Sequence, residues 1–157
     1  MENRVWVYMS ENEFSDAMRS EILTEIENFL SGWNAHGQQL NARGEILFKR
    51  FIVIAADEAM FSASGCSIDK LIHFIQHLEK KHHVNLFNRL LVGVKNEKDM
   101  VEVYPSSKIK EMLLSGLLDK NSIVFNSGIC NEKDLENSFF ISLKNSWLNK
   151  YLIKDKA

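Results

Sequence analysis

Nine residues, "SASGCSIDK" at positions 62 to 70, bring a cysteine, three serines, an aspartate and a lysine together immediately before a long apolar-periodic run. A thiol at the start of a helix meets unpaired backbone N–H groups and the positive end of the helix dipole, both of which favour the thiolate, so Cys66 is a candidate nucleophile. His36, in "GWNAHGQQL", is the candidate base for it, although no third residue that would orient the imidazole can be named from the sequence. The same residues have a structural reading. Ser64 or Ser67 caps the helix, Gly65 makes the bend, Asp69 complements the dipole and Cys66 is a small buried filler. By the same logic "GWNAHG" is a C-cap glycine followed by a packed tryptophan and a loop histidine.

Other spacings carry less chemistry. Ser67-x-x-Lys70 fits the S-x-x-K pattern of serine acyl-transfer enzymes, but neither S-D-N nor K-T-G occurs in the chain. His73 and His77 stand four apart on the predicted helix, yet Phe74 occupies the place where a zinc protease carries glutamate, and both histidines fall opposite the apolar stripe. No third ligand is apparent, so no metal site is expected, and no cofactor. "EKKHH" at 79–83 reads as the polar end of the same helix.

The elements that must position these residues follow from periodicity. "RVWVYM" reads as a strand, and Ser15 or Asp16 caps a helix whose apolar positions Met18, Ile22, Ile26, Phe29, Leu30 and Trp33 recur every three or four residues. "NARGEILFKRFIVIAAD" holds two strands turning near Lys49 and Arg50. A second helix then carries Ile68, Leu71, Ile72, Ile75, Leu78 and His82 on one stripe. "RLLVGVK" and "MVEVY" form a hairpin around "NEKD". The order is βαββαβ plus one strand, which predicts an α+β domain with a ferredoxin-like core over 4–104 and a C-terminal extension over 105–157, all within one domain.

In that order the segments around His36 and Cys66 lie at the same end of the sheet, because each helix returns the chain across it. The expected site is therefore the edge built from Trp33, His36, Cys66, Ser67 and Asp69, with a small polar or anionic molecule as its ligand. The strands "VWVYM", "FIVIA" and "LLVGV" are apolar on both faces, so both faces of the sheet need cover. The helices supply one. The expectation for the other is the C-terminal apolar groups Leu113, Leu117, Ile123, Phe125, Phe139, Phe140, Trp147 and Tyr151 over Trp6 and Tyr8, or a second subunit in a homodimer. "ARGEILFK" alternates instead, as an edge strand would.

A length of 157 residues, 45% hydrophobic and 25% charged, suits one folded domain. A net charge of -2 provides no field to attract phosphate backbones, which argues against nucleic acid. No basic leader or membrane-length apolar run is present, and two widely separated cysteines suggest free thiols, so the expected location is the cytoplasm, away from membranes.

Taken together, "WVYMSE", "FLSGWNAHGQQL", "RFIVIAADE", "ASGCSIDK" and "SIVFN" resemble a family of small uncharacterised bacterial proteins often labelled "ABC transporter ATPase". The label implies a phosphate-cradling G-x-x-x-x-G-K-[ST], and none of the seven glycines is placed to supply it, so a P-loop ATPase is not expected. The residues support three readings. The first is a non-catalytic or ligand-binding domain, the second a cysteine-dependent enzyme using Cys66 with His36, and the third a self-associating adaptor.

Overall fold

The computed structural model describes residues 3–58 and 63–152. In chain order its principal elements are β1 (Arg4–Met9), α1 (Asp16–Ser31), β2 (Asn34–Ala35), β3 (Gln38–Gln39), β4 (Asn41–Leu47), β5 (Phe51–Asp57), α2 (Gly65–His82), β6 (Leu91–Lys95), β7 (Val101–Pro105), α3 (Ile109–Leu114), β8 (Ile123–Phe125), α4 (Glu132–Asn137) and β9 (Phe140–Ser142). The architecture is α+β. The chain divides into two compact units, one formed by the residues up to Phe87 with Ile129–Asn137, the other by Asn88–Gly128 with the residues from Ser138 on. Among the described residues no helix is long and apolar enough to cross a membrane.

The first unit is built on an antiparallel sheet of order β1-β5-β4, with Trp6, Ile54 and Gly44 in one row across it. Ser15 starts α1, its Oγ accepting from the Met18 N–H at 3.1 Å, and the three-to-four spacing of Ile22, Ile26 and Leu30 then buries one stripe. Leu71, Ile75 and Leu78 do the same for α2. These stripes meet the sheet face that carries Ile52, Ile54 and Ala56, with Trp6 and Tyr8 packed against the same core. Phe29 of α1 and Phe74 of α2 stack at 4.4 Å. Gly44 is where α1 comes closest to β4, since a Cβ there would lie 2.3 Å from Ile26 Cγ2.

Two expectations are corrected here. Trp6 and Tyr8 belong to the helix-side core, where Trp6 meets Trp33 edge-on at 5.6 Å and Tyr8 meets Phe87 at 5.4 Å, so they need no cover from the C-terminal third. The expected fourth strand of a ferredoxin-like sheet, β6, does not pair with β1. The outer edge of β1 is taken by the segment leading into α4: Val5 N–H donates to the Cys130 carbonyl and Glu132 N–H to the Asn3 carbonyl, each at 3.0 Å, around a bridge between Arg4 and Asn131.

The second unit has its own antiparallel sheet, of order β7-β6-β8-β9. Val92, Val94, Ile109, Leu118, Val124, Leu143 and Leu148 form its core, with Leu113 and Tyr151 packed against it. Of the C-terminal apolar groups expected to cover the sheet, Leu113 and Tyr151 thus share a core with β6. Leu117, at 74% exposure, joins no core.

Candidate functional site

Ser64 occupies the N-cap of α2 in extended conformation, its Oγ accepting from the Ser67 N–H at 3.1 Å, while Ser67 Oγ donates back to the Ser64 carbonyl at 2.8 Å. Both hydroxyls are spent on starting the helix. Ser67 is 1% exposed, which removes it as the nucleophile of an S-x-x-K pair. Trp33, just beyond the C-cap Gly32 of α1, donates from Nε1 to the Ser67 carbonyl at 2.7 Å. Its ring packs against Trp6 and Phe29, so Trp33 is an anchor between the two segments and offers no open face to a ligand.

His36 lies at the tip of the β2–β3 hairpin. With φ of 52° at His36 and 75° at Gly37, the turn has the two left-handed central residues of type I′, a shape that asks for glycine at one of them. His36 is exposed, as are Cys66 and Asp69. The expectation that Cys66 is buried filler is therefore corrected. So is the placing of Asp69 against the dipole, since the first turn of α2, Gly65 to Ser67, holds no acidic residue. Of the five expected site residues the structure joins Trp33 to Ser67. Among the described residues no hydrogen bond links His36 to Cys66, so no nucleophile–base pair is assembled.

No protein family, curated protein or solved structure matches the chain. The chemistry of the first unit therefore rests on its own side chains, and three groupings lie outside the expected site. Glu25 of α1 accepts from His82 Nε2 at 2.7 Å and from Lys81 Nζ at 2.6 Å, with His77 Nε2 at 3.7 Å. Burial pushes the Glu25 carboxyl up, but the hydrogen bonds from His82 and Lys81 outweigh it and hold the group below the usual range. The Lys81 ammonium already supplies the cation there, and among the described residues no three acidic, histidine or cysteine side chains are grouped to hold a metal ion. His73 is exposed on the outer face of α2. The sequence signal for the Glu25 cluster is two matched i,i+4 pairs, Glu21 with Glu25 and His77 with Lys81, which shows only once α1 and α2 are known to be neighbours.

On the far face of the sheet, Arg43 of β4 makes a two-pronged ion pair with Glu132 of α4, which also accepts from Asn3 Nδ2 at 3.3 Å. The bond from Arg43 depresses the Glu132 carboxyl and raises the guanidinium. Beside the outer edge of β4, a cleft of about 530 Å³ is lined by Glu27, Leu30 and Ser31 of α1 and by residues 39–44.

Proposed function

We propose that the chain is a non-catalytic binding domain of the cytoplasm that takes a small polar or anionic molecule at the edge formed by the β2–β3 hairpin and the first turn of α2. The observation that carries this reading is the 2.7 Å bond from Trp33 to the Ser67 carbonyl. It ties the two segments together out of solvent, so exposed His36, Cys66 and Asp69 stand on a rigid base, beside the start of an 18-residue helix whose dipole favours anions. Trp33 and Ser67 position the edge; His36, Cys66 and Asp69 offer the contacts. The order β1-β5-β4 beneath two helices supports reading the first unit as a ferredoxin-like arrangement without its fourth strand. The test is an amide-resolved NMR titration with inorganic phosphate, sulfate and a panel of small carboxylates. The expected result is saturable shifts at His36, Gly37 and Gly65 to Asp69 for at least one of them, and a panel that leaves those amides unmoved overturns the reading.

The exposure of Cys66 favours one second reading, a thiol nucleophile using His36 as base once substrate draws the hairpin in. Its test is the rate of iodoacetamide alkylation against pH. A thiol titrating near the free value of about 8.5 removes the case for activation.

A further inference from the structure

We propose that two copies of the chain pair antiparallel along the outer edge of β4, about a two-fold axis through Gly44. β4 ends the order β1-β5-β4, and among the described residues no strand pairs with its outer side, so a row of backbone donors and acceptors faces outward. Edge strands are commonly protected by charges of one sign, which repel a second copy. The two charges of β4 have opposite signs and flank the glycine symmetrically, in "NARGEIL". Antiparallel pairing centred on Gly44 sets Arg43 of each copy opposite Glu45 of the other, twice, at the Cβ separation of about 5 Å typical of directly opposed residues.

The remaining pairs fit as well. On the helix-facing side the same register opposes half-buried Ala42 to half-buried Ile46, small against large, with no side chain at the axis itself. Ile46 of the partner copy then enters the cleft beside Leu30, Leu40 and Ala42, the same cleft that lies open along this half of β4. In one copy Arg43 reaches across β5 to Glu132 at the β1 edge, so pairing requires its guanidinium to turn from Glu132 toward Glu45 of the second copy. A one-residue slip that pairs Gly44 with Glu45 sets Arg43 opposite Ile46, so both charge pairs are lost. The charge pattern thus specifies a second copy of this chain more closely than it specifies an arbitrary extended peptide. The interface is separate from the edge at His36 and Cys66 and stands or falls without it.

Sedimentation equilibrium on the full chain from micromolar to about millimolar concentration tests the proposal, with three proteins. The wild type is expected to dimerise. Glu45→Arg, which sets arginine against arginine twice, is expected to weaken the dimer by about tenfold or more. Arg43→Glu combined with Glu132→Gln, the second change removing the repulsion that the first creates, is expected to be monomeric alone yet to dimerise when mixed with Glu45→Arg, because both cross-strand pairs are then complementary again. A wild type that stays monomeric at the highest concentration overturns the proposal. So does a Glu45→Arg protein that dimerises as the wild type does. Should circular dichroism show the double variant unfolded, these first two measurements decide the matter by themselves.

Discussion

The indole N–H of Trp33 donates to the main-chain carbonyl of Ser67 at 2.7 Å, and both residues are 1% exposed. The bond spans the end of α1 and the start of α2, so it couples two helix termini that are 34 residues apart. Trp33→Phe keeps most of the apolar contact with Trp6 and Phe29 but leaves that carbonyl without its second partner. The expected loss is about 1 to 3 kcal/mol, read as a lower urea midpoint at unchanged slope. A change below a few tenths of a kcal/mol would mean that the bond contributes nothing net.

Gly44 is required by the approach of α1. An alanine Cβ would lie 2.3 Å from Ile26 Cγ2 and 3.1 Å from Ile54 Cδ1, and Ile26 Cγ2 is a branch methyl close to its own backbone with little freedom to move aside. Gly44→Ala is expected to destabilise by about 1 to 3 kcal/mol, the usual cost of forcing a methyl into a packed core. Gly65→Ala is the control: nothing lies within 4 Å of its Cβ, it stands at the first position of α2, and it should be neutral or stabilising by up to about 1 kcal/mol. Equal effects at the two sites would exclude the close approach as the cause.

The parts of this fold that are legible in the sequence are those set by local periodicity. Ser15 and the Ile22, Ile26, Leu30 stripe name α1. Leu71, Ile75 and Leu78 name α2, and the alternation of Arg43 and Glu45 with Ala42 and Ile46 marks β4 as the edge strand it is. Pairings between distant segments were not legible. The β6 sequence "LVGVK" would suit a place beside β1 as well as one beside β8, and nothing in "CNE" announces that Cys130 to Glu132 will occupy the edge of β1. Period two also shows that Trp6 and Val5 face opposite ways without showing which faces the helices. At the candidate site, capping chemistry correctly placed Ser64 and Ser67 at the helix start, whereas the exposure of Cys66 depends on what surrounds that turn.

Arg50 is an expected weak point of a different kind. It follows the β4–β5 turn, in which Phe48 and Lys49 both adopt positive φ, and its side chain is 8% exposed. Nη1 donates to the Glu11 carbonyl at 2.7 Å and approaches the Ser10 carbonyl at 3.4 Å, while Nε is buried with no partner. Burial draws the guanidinium below its ordinary pKa, with Glu13 offsetting part of the effect. Arg50→Ala should cost about 2 to 4 kcal/mol, through the lost bonds to the β1–α1 loop and the space left behind. Arg50→Met should cost less than Arg50→Ala, because it refills the volume and removes a partly paired buried charge. The reverse ranking in thermal melts would show that the charge itself holds the loop.

The last prediction concerns acid. Glu25 has a folded-state pKa below its ordinary value of 4.5: burial works to raise it, and the bonds from His82 and Lys81 prevail. A carboxylate depressed in this way stabilises the folded chain at every pH above the unfolded value, and that contribution fades as the pH falls from about 4.5 through the lower folded value. Glu25→Gln keeps the shape and loses the charge. It should therefore be less stable than the wild type at pH 7, with the gap closing as the pH is lowered below about 5. Glu132, depressed by Arg43, and Glu102, depressed by the Tyr104 hydroxyl, titrate in the same region, but both are present in the two proteins and cancel in the difference. Urea unfolding of both proteins at intervals from pH 7 to pH 3 measures that difference directly. A gap of constant size across the range would mean that His82 and Lys81 bind the protonated carboxyl as well as they bind the carboxylate, and that the α1–α2 contact at this point is not electrostatic.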